Sequence, residues 1–246
     1  MMPLRGLVRL TAVSLIGLAI LVGLGVWQLQ RLEWKEALIA RIDARTKAKP
    51  IGLDKAIAIA KERRNPSYYR VRVEGRFHHD KERYLYAIGD GKPGWHVITP
   101  LETVNGDMVL IDRGFVPYDL KEPAGREAGQ VESVVAMTGI LRTPEIQTVF
   151  TPDNEPQANR WFWRDLGGMA RSMFPDGTVQ IAPFFLEAEA SDVPGGWPKG
   201  GQTQLVISNN HLQYALTWFS LALVLIVIYT LYVRKISREG RGLSGA

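Results

Sequence analysis

Positions 10–27 carry no charged residue, nor do positions 212–233, while polar and apolar residues intermix throughout the stretch between them. A helix rises 1.5 Å per residue, so about 20 residues cross a hydrocarbon core of roughly 30 Å. The second run meets that length outright, and the first reaches it once Gln28 and Leu29 carry it to Arg31. The first run begins with Arg5 and Arg9, as a secretory signal would. Its apolar stretch exceeds the roughly 7–15 residues of a signal core, however, and no small-residue cleavage site follows. It passes instead into Trp27-Gln28-Leu29-Gln30-Arg31, a polar-aromatic edge suited to a membrane interface. The pattern predicts a retained anchor near each end.

Beyond the first anchor, Trp27, Arg31, Trp34, Lys35 and Leu38 recur along one face of a continuing helix. A second amphipathic stretch, 53–64, groups Leu53, Ile57 and Ala60 and stops at Asn65-Pro66. At Tyr69 the period changes to two: Tyr69-Arg70-Val71-Arg72-Val73-Glu74-Gly75-Arg76-Phe77 alternates as a half-buried antiparallel strand does. Further strands are predicted at 84–88, 95–103, 108–112, 134–141, 160–163, 179–187 and 204–208. Asn105-Gly106 signals a type I′ hairpin. Asp165 caps a short helix through Met173, ended by Pro175-Asp176-Gly177, and 191–201 reads as a loop. The expected fold is an α+β membrane protein with two transmembrane helices flanking a mainly antiparallel, barrel-like β domain outside the cytoplasm. Its segments are a tail at 1–9, a helix at 10–30, the β-rich domain at 31–210, a helix at 211–233 and a tail at 234–246.

Charge sets the expected orientation. Of 30 basic and 25 acidic residues, the tails hold six and one, leaving 24 of each between the helices. The net +5 therefore sits in the tails, and the basic balance gives no footprint for nucleic acid. Short basic flanks stay cytoplasmic, so both termini are expected inside and the central domain outside. The N-terminus is too short and too poor in Ser and Arg for a mitochondrial transit peptide, which favours the inner (plasma) membrane of a bacterium and a periplasmic domain. The absence of cysteine means the domain relies on its core, and it removes the thiolates a copper carrier would use.

Nucleophile-elbow, P-loop, dinucleotide and zincin motifs are missing, so nothing in the chain assembles a hydrolase or transferase site. His78 and His79 are neighbours at a strand end and point to opposite faces, awkward for one metal. His96 lies within a strand and reads as a satisfied structural histidine. Met169 and Met173 can bind cuprous copper as an i, i+4 pair, although core packing is the simpler reading. His211 is different. It follows Ser208-Asn209-Asn210 and opens the second apolar helix, with Tyr214, Ala215 and Trp218 on its side. An imidazole there can offer an axial nitrogen to a haem, or simply anchor the helix at the headgroups.

Six blocks, in order, resemble one family. They are Gly25-Val26-Trp27-Gln28-Leu29-Gln30-Arg31-Leu32-Glu33-Trp34-Lys35; Val71-Arg72-Val73-Glu74-Gly75-Arg76-Phe77; and Gly94-Trp95-His96-Val97-Ile98-Thr99-Pro100. Then come Val109-Leu110-Ile111-Asp112-Arg113-Gly114-Phe115-Val116-Pro117, Asn159-Arg160-Trp161-Phe162-Trp163-Arg164-Asp165-Leu166, and Asn209-Asn210-His211-Leu212-Gln213-Tyr214-Ala215-Leu216-Thr217-Trp218-Phe219. With the two-helix frame, the chain resembles the Surfeit locus protein 1 family over nearly its whole length, departing at Asp112 where asparagine is expected. The resemblance implies a non-enzymatic assembly factor for cytochrome c oxidase, a haem-copper terminal oxidase. It implies binding of haem a, with His211 as candidate axial ligand to the iron, and delivery to the oxidase catalytic subunit, with the haem a synthase as a second partner. Tyr214 and Trp218 are expected against the macrocycle. Arg31 and Lys35 suit its propionates, or serve as snorkelling interface anchors. Trp27 marks the membrane exit. Arg113, beside Gly114 at an expected tight bend, either docks on the oxidase or bonds backbone carbonyls to close the barrel. A scaffold that stabilises an oxidase intermediate without touching haem is the alternative.

Overall fold

The computed structural model describes residues 4–62, 65–89, 91–202 and 208–242. Its elements are α1 (Leu4–Lys47), β1 (Ile51–Gly52), α2 (Leu53–Lys61), β2 (Arg70–Phe77), β3 (Arg83–Gly89), β4 (Lys92–Thr103) and β5 (Met108–Pro117). These are followed by β6 (Val135–Arg142), α3 (Leu166–Met173), β7 (Ile181–Ala188) and α4 (His211–Gly242). They fall into two compact units, Met1–Arg41 with Val206–Ala246, and Ile42–Leu205.

In the first unit α1 and α4 pack antiparallel. Gly17 lies opposite Leu225 and Gly25 opposite Phe219, while Thr11 Oγ1 and Tyr229 OH share a hydrogen bond of 2.8 Å. Ala215 and Ala222 of α4 are buried. Small residues at such positions let helix backbones approach where lipid gives no hydrophobic drive for association. Away from this seam the large side chains of Val13, Ile16, Leu223 and Ile228 are exposed. Both helices are long and apolar enough to cross a membrane, and they fit a membrane-anchored protein. As the Trp27-to-Leu38 face predicts, α1 runs unbroken past the apolar stretch to Lys47.

The second unit is a mixed sheet in the order β1-β2-β6-β7-β5-β4-β3. Strand β2 also pairs with β4, so β2, β6, β7, β5 and β4 close into a five-stranded barrel. The β1–β2 and β5–β7 pairs are parallel and the others antiparallel. Closure turns on Gly75, which is in register with Val135 of β6 and with Thr103 of β4. A Cβ there would collide with the Glu102 carbonyl, so only glycine lets β2 serve two neighbours. The alternation of β2 buries Val71 and Val73 against Leu101, Ile111, Leu141 and Phe184 inside the barrel, with Leu53 and Ala56 of α2 covering one end. Strand β5 is buried on both faces, because Trp161 and the α3 residues Met169 and Met173 pack with Leu110 and Phe185 outside the barrel.

Four expectations are corrected. Residues 160–163 form no strand. Trp161 makes a single parallel bridge to Leu85, held by Trp161 N–H to Tyr84 O (3.0 Å) and Tyr86 N–H to Trp161 O (2.7 Å), and its indole is buried in the core. The expected tight bend at Gly114–Pro117 is a β-bulge instead: β5 continues through it, with Arg113 and Gly114 together opposite Val97. Gly114, at φ 115°, admits the backbone of Lys199, which bridges to Phe115. The Asn105-Gly106 turn is not type I′: only Gly106 has positive φ (86°), with Gly106 N–H bonded to Thr103 O at 2.9 Å. That is the pattern of a type I turn followed by a left-handed glycine. The amphipathic helix ends at Lys61 and is capped by Glu62, whose N–H bonds Ala58 O at 3.1 Å. Residues 63–64 lie outside the described residues, as does most of the expected strand 204–208.

The corrected turn separates the two positions. Gly106→Val should destabilise the protein by about 1–2 kcal/mol, the cost of a β-branched residue in the left-handed region. Asn105→Val should change the unfolding midpoint far less, and urea unfolding of the two variants measures the difference.

Candidate functional site

His211 is the first residue of α4, whose first turn closes with Tyr214 N–H bonded to Asn210 O at 3.2 Å. Its Nδ1 lies 2.7 Å from Oε1 of Gln28 on α1. Gln28 is 9% exposed, although it sits between Trp27 (50% exposed) and an exposed Leu29. The antiparallel pairing of α1 and α4 therefore sets the amide and the imidazole at one level. Nε2 of His211 has no protein partner among the described residues. Two residues earlier in the chain, Asn209 Oδ1 is buried and has no partner among the described residues. The other expected contacts spread around the helices. Ala215 faces inward, Trp218 is half-buried and Tyr214 is 54% exposed. On α1 the Arg31 guanidinium lies 4.5 Å from the Trp34 ring centroid, and Lys35 is half-buried. A groove of about 680 Å³ runs along another face of α4, polar at Asn209, Asn210 and Gln213 and apolar at Leu216, Leu221 and Val224; His211 does not line it.

The second unit holds two buried ionic clusters. In the first, Glu82 receives Arg126 through both carboxylate oxygens (2.5 and 3.2 Å) and Arg113 at 3.3 Å. Burial would raise the Glu82 carboxyl, but His79, with Nδ1 at 3.6 Å, and the two guanidinium groups outweigh it and hold it at about 2. Arg113 also donates to Gly129 O and lies over the Phe77 ring. In the second cluster, Asp112 accepts from His96 Nδ1 at 2.8 Å, Arg164 Nη2 at 3.0 Å and Gly114 N–H at 3.1 Å. Arg164 Nη2 also donates to Glu187 at 2.8 Å. Burial opposes ionisation of Asp112, yet His96 and Arg164 pull it down to about 2; burial likewise disfavours charged His96, but Asp112 raises its pKa. His78 bonds Glu102 and His79 bonds the Val131 carbonyl, each at 2.9 Å, so the two rings serve separate partners. Met169 and Met173 are core residues.

The SURF1 family pattern matches residues 15–223, from inside α1 to inside α4. The chain belongs to the SURF1 family. It is 37% identical to mouse Surfeit locus protein 1 over 215 residues, 81% of this chain and 67% of the relative. The human Surfeit locus protein 1 matches at 37% over 218 residues, 81% and 69% of the two chains. A SURF1-like protein of Monosiga brevicollis matches at 37% over 230 residues, 87% and 83%. The SURF1 match thus takes in both helices that carry Gln28 and His211 as well as the barrel between them.

Within that SURF1 frame, Arg113 bonds a backbone carbonyl and an internal carboxylate, and Gly114 makes room for a crossing chain. Asp112 organises three donors, which one asparagine oxygen cannot do in the same way. Its lowered pKa gives stability that is present above about 3.8 and lost as pH falls through about 2. The raised pKa of His96 gives stability present below about 6.5 and lost as pH rises through its folded value. The pair therefore contributes most between about pH 4 and 6.5. Asp112→Asn should cost about 2–4 kcal/mol, because it turns an acceptor into a donor facing buried cations. Unfolding of the full chain in detergent should show a larger loss at pH 5.5 than at pH 8.5.

Proposed function

We propose that this SURF1 family protein is a membrane-anchored assembly factor for cytochrome c oxidase. In this reading it holds haem a through His211 and passes it to the oxidase catalytic subunit, working beside the haem a synthase. The observation that carries the reading is a half-buried imidazole at the end of a helix pair, bonded at Nδ1 and without a partner at Nε2 among the described residues. The residues present fit the group. The imidazole of His211 supplies the nitrogen, and exposed apolar helix faces suit a long hydrocarbon tail. When bound, the haem would supply an iron centre able to take a nitrogen ligand from His211. The protein's part is to present Nε2, keep the tail in lipid and offer Arg31 and Lys35 of α1 to the propionates. The role proposed is binding and transfer, without catalysis.

The membrane proposed is the inner (plasma) membrane of a bacterial cell, with both termini cytoplasmic and the barrel periplasmic. The antiparallel helix pair agrees with termini on one side, and the basic tails give its sign. Alkaline phosphatase fused near residue 130 should be active, and the same reporter after Ala246 inactive; the reverse pattern would invert the topology.

His211→Ala should remove most haem a from protein purified out of cells that express a haem a synthase. Membrane insertion should persist, because the uncharged run 212–233 spans without the histidine. Tyr214→Ala and Trp218→Ala should weaken retention less. One observation favours the scaffold reading: Ile146, Val149 and Phe150, in the loop after β6, are 89%, 94% and 94% exposed, an apolar surface suited to a protein contact. That reading expects normal oxidase assembly from the His211→Ala strain and a loss in Phe150→Ser.

A further inference from the structure

We infer that Gln28 is the positioning residue for His211, fixing its imidazole as the Nδ1–H tautomer and so presenting Nε2 as the ligating nitrogen. The amide oxygen of Gln28 is an acceptor with no proton to give, so at 2.7 Å the shared proton belongs to Nδ1 of His211. In a neutral ring the lone pair then lies on Nε2, which has no protein partner among the described residues. Gln28 is itself held. It is 9% exposed on α1, one turn from Gly25, whose missing side chain lets Phe219 of α4 press against the helix. Metal-bound histidines are oriented by such a bond at their other nitrogen, and its loss costs about 10–100-fold in affinity. A bond that served only to join the helices would fix the same tautomer but leave haem retention unchanged when it is removed, so retention is the readout that separates the two roles.

The first half of this inference stands on the helix pair alone, and the second half rests on the haem reading proposed above. The experiment separates them. The full chain, labelled with ¹⁵N-histidine and held in lipid nanodiscs without haem, is compared with its Gln28→Leu and Gln28→Glu variants, His211→Ala assigning the resonance. The expected result is a protonated Nδ1 and an unprotonated Nε2 in the parent and in Gln28→Glu. Gln28→Leu should instead show a mixture of tautomers. Leucine suits a lipid-level helix, so the variant inserts. With haem a supplied by a co-expressed synthase, Gln28→Leu should bind about 10–100-fold more weakly. Gln28→Glu should retain haem with a more negative midpoint potential. A parent His211 protonated at Nε2, or a tautomer unchanged in Gln28→Leu, overturns the inference. The expected tautomers together with a haem-free parent would support the positioning role and remove the haem reading instead.

Discussion

Phe219 of α4 lies so close to Gly25 of α1 that a methyl group on the glycine would come within 2.6 Å of its ring. The arrangement of the membrane unit depends on this contact. Lipid tails are as apolar as the helices, so association there comes from close packing and from polar pairs across the seam. Gly25, Ala215 and Ala222 permit the approach, and the Thr11–Tyr229 hydrogen bond adds a polar tie farther along. The same register brings Gln28 level with His211. A larger residue at position 25 would force the helices apart, and the amide could no longer reach the imidazole.

The barrel shows a comparable dependence on one missing side chain. Gly75 lets β2 pair with both β6 and β4, and the sheet closes on itself. In the Glu82 and Asp112 clusters burial would neutralise the carboxyls, and the surrounding cations prevent it. Such clusters are costly to break and tie loops distant in sequence to the strands: Arg164 belongs to the segment before α3, and Arg126 to the connection before β6. Arg113 and Gly114 thereby help to hold the barrel unit together.

Much of this was legible in the chain. The two uncharged runs gave the membrane helices, and the Val71/Val73 alternation gave the first barrel strand, because each follows directly from a period or a length. Asp165 capping α3 was equally local, its side chain accepting from Gly168 N–H. What escaped was non-local. Nothing in Trp161 itself says that a single bridge to Leu85 replaces a strand, and the parallel β5–β7 pair depends on a connection that passes through α3. Asn105-Gly106 misled because the flanking Thr103 and Asp107 set a longer loop than the dipeptide alone suggests. Of the candidate site, His211 was visible as a histidine opening an apolar helix. Gln28 was visible only as part of an interfacial edge. Its partner lies on the other helix, and no spacing along the sequence reports that.

The most direct test of the central claim is the absorption spectrum of the wild-type protein, purified from cells that also make haem a synthase. The spectrum should show bound haem a with the bands of an imidazole-ligated iron. A protein that emerges free of haem a, yet still supports full assembly of active oxidase, would contradict the claim.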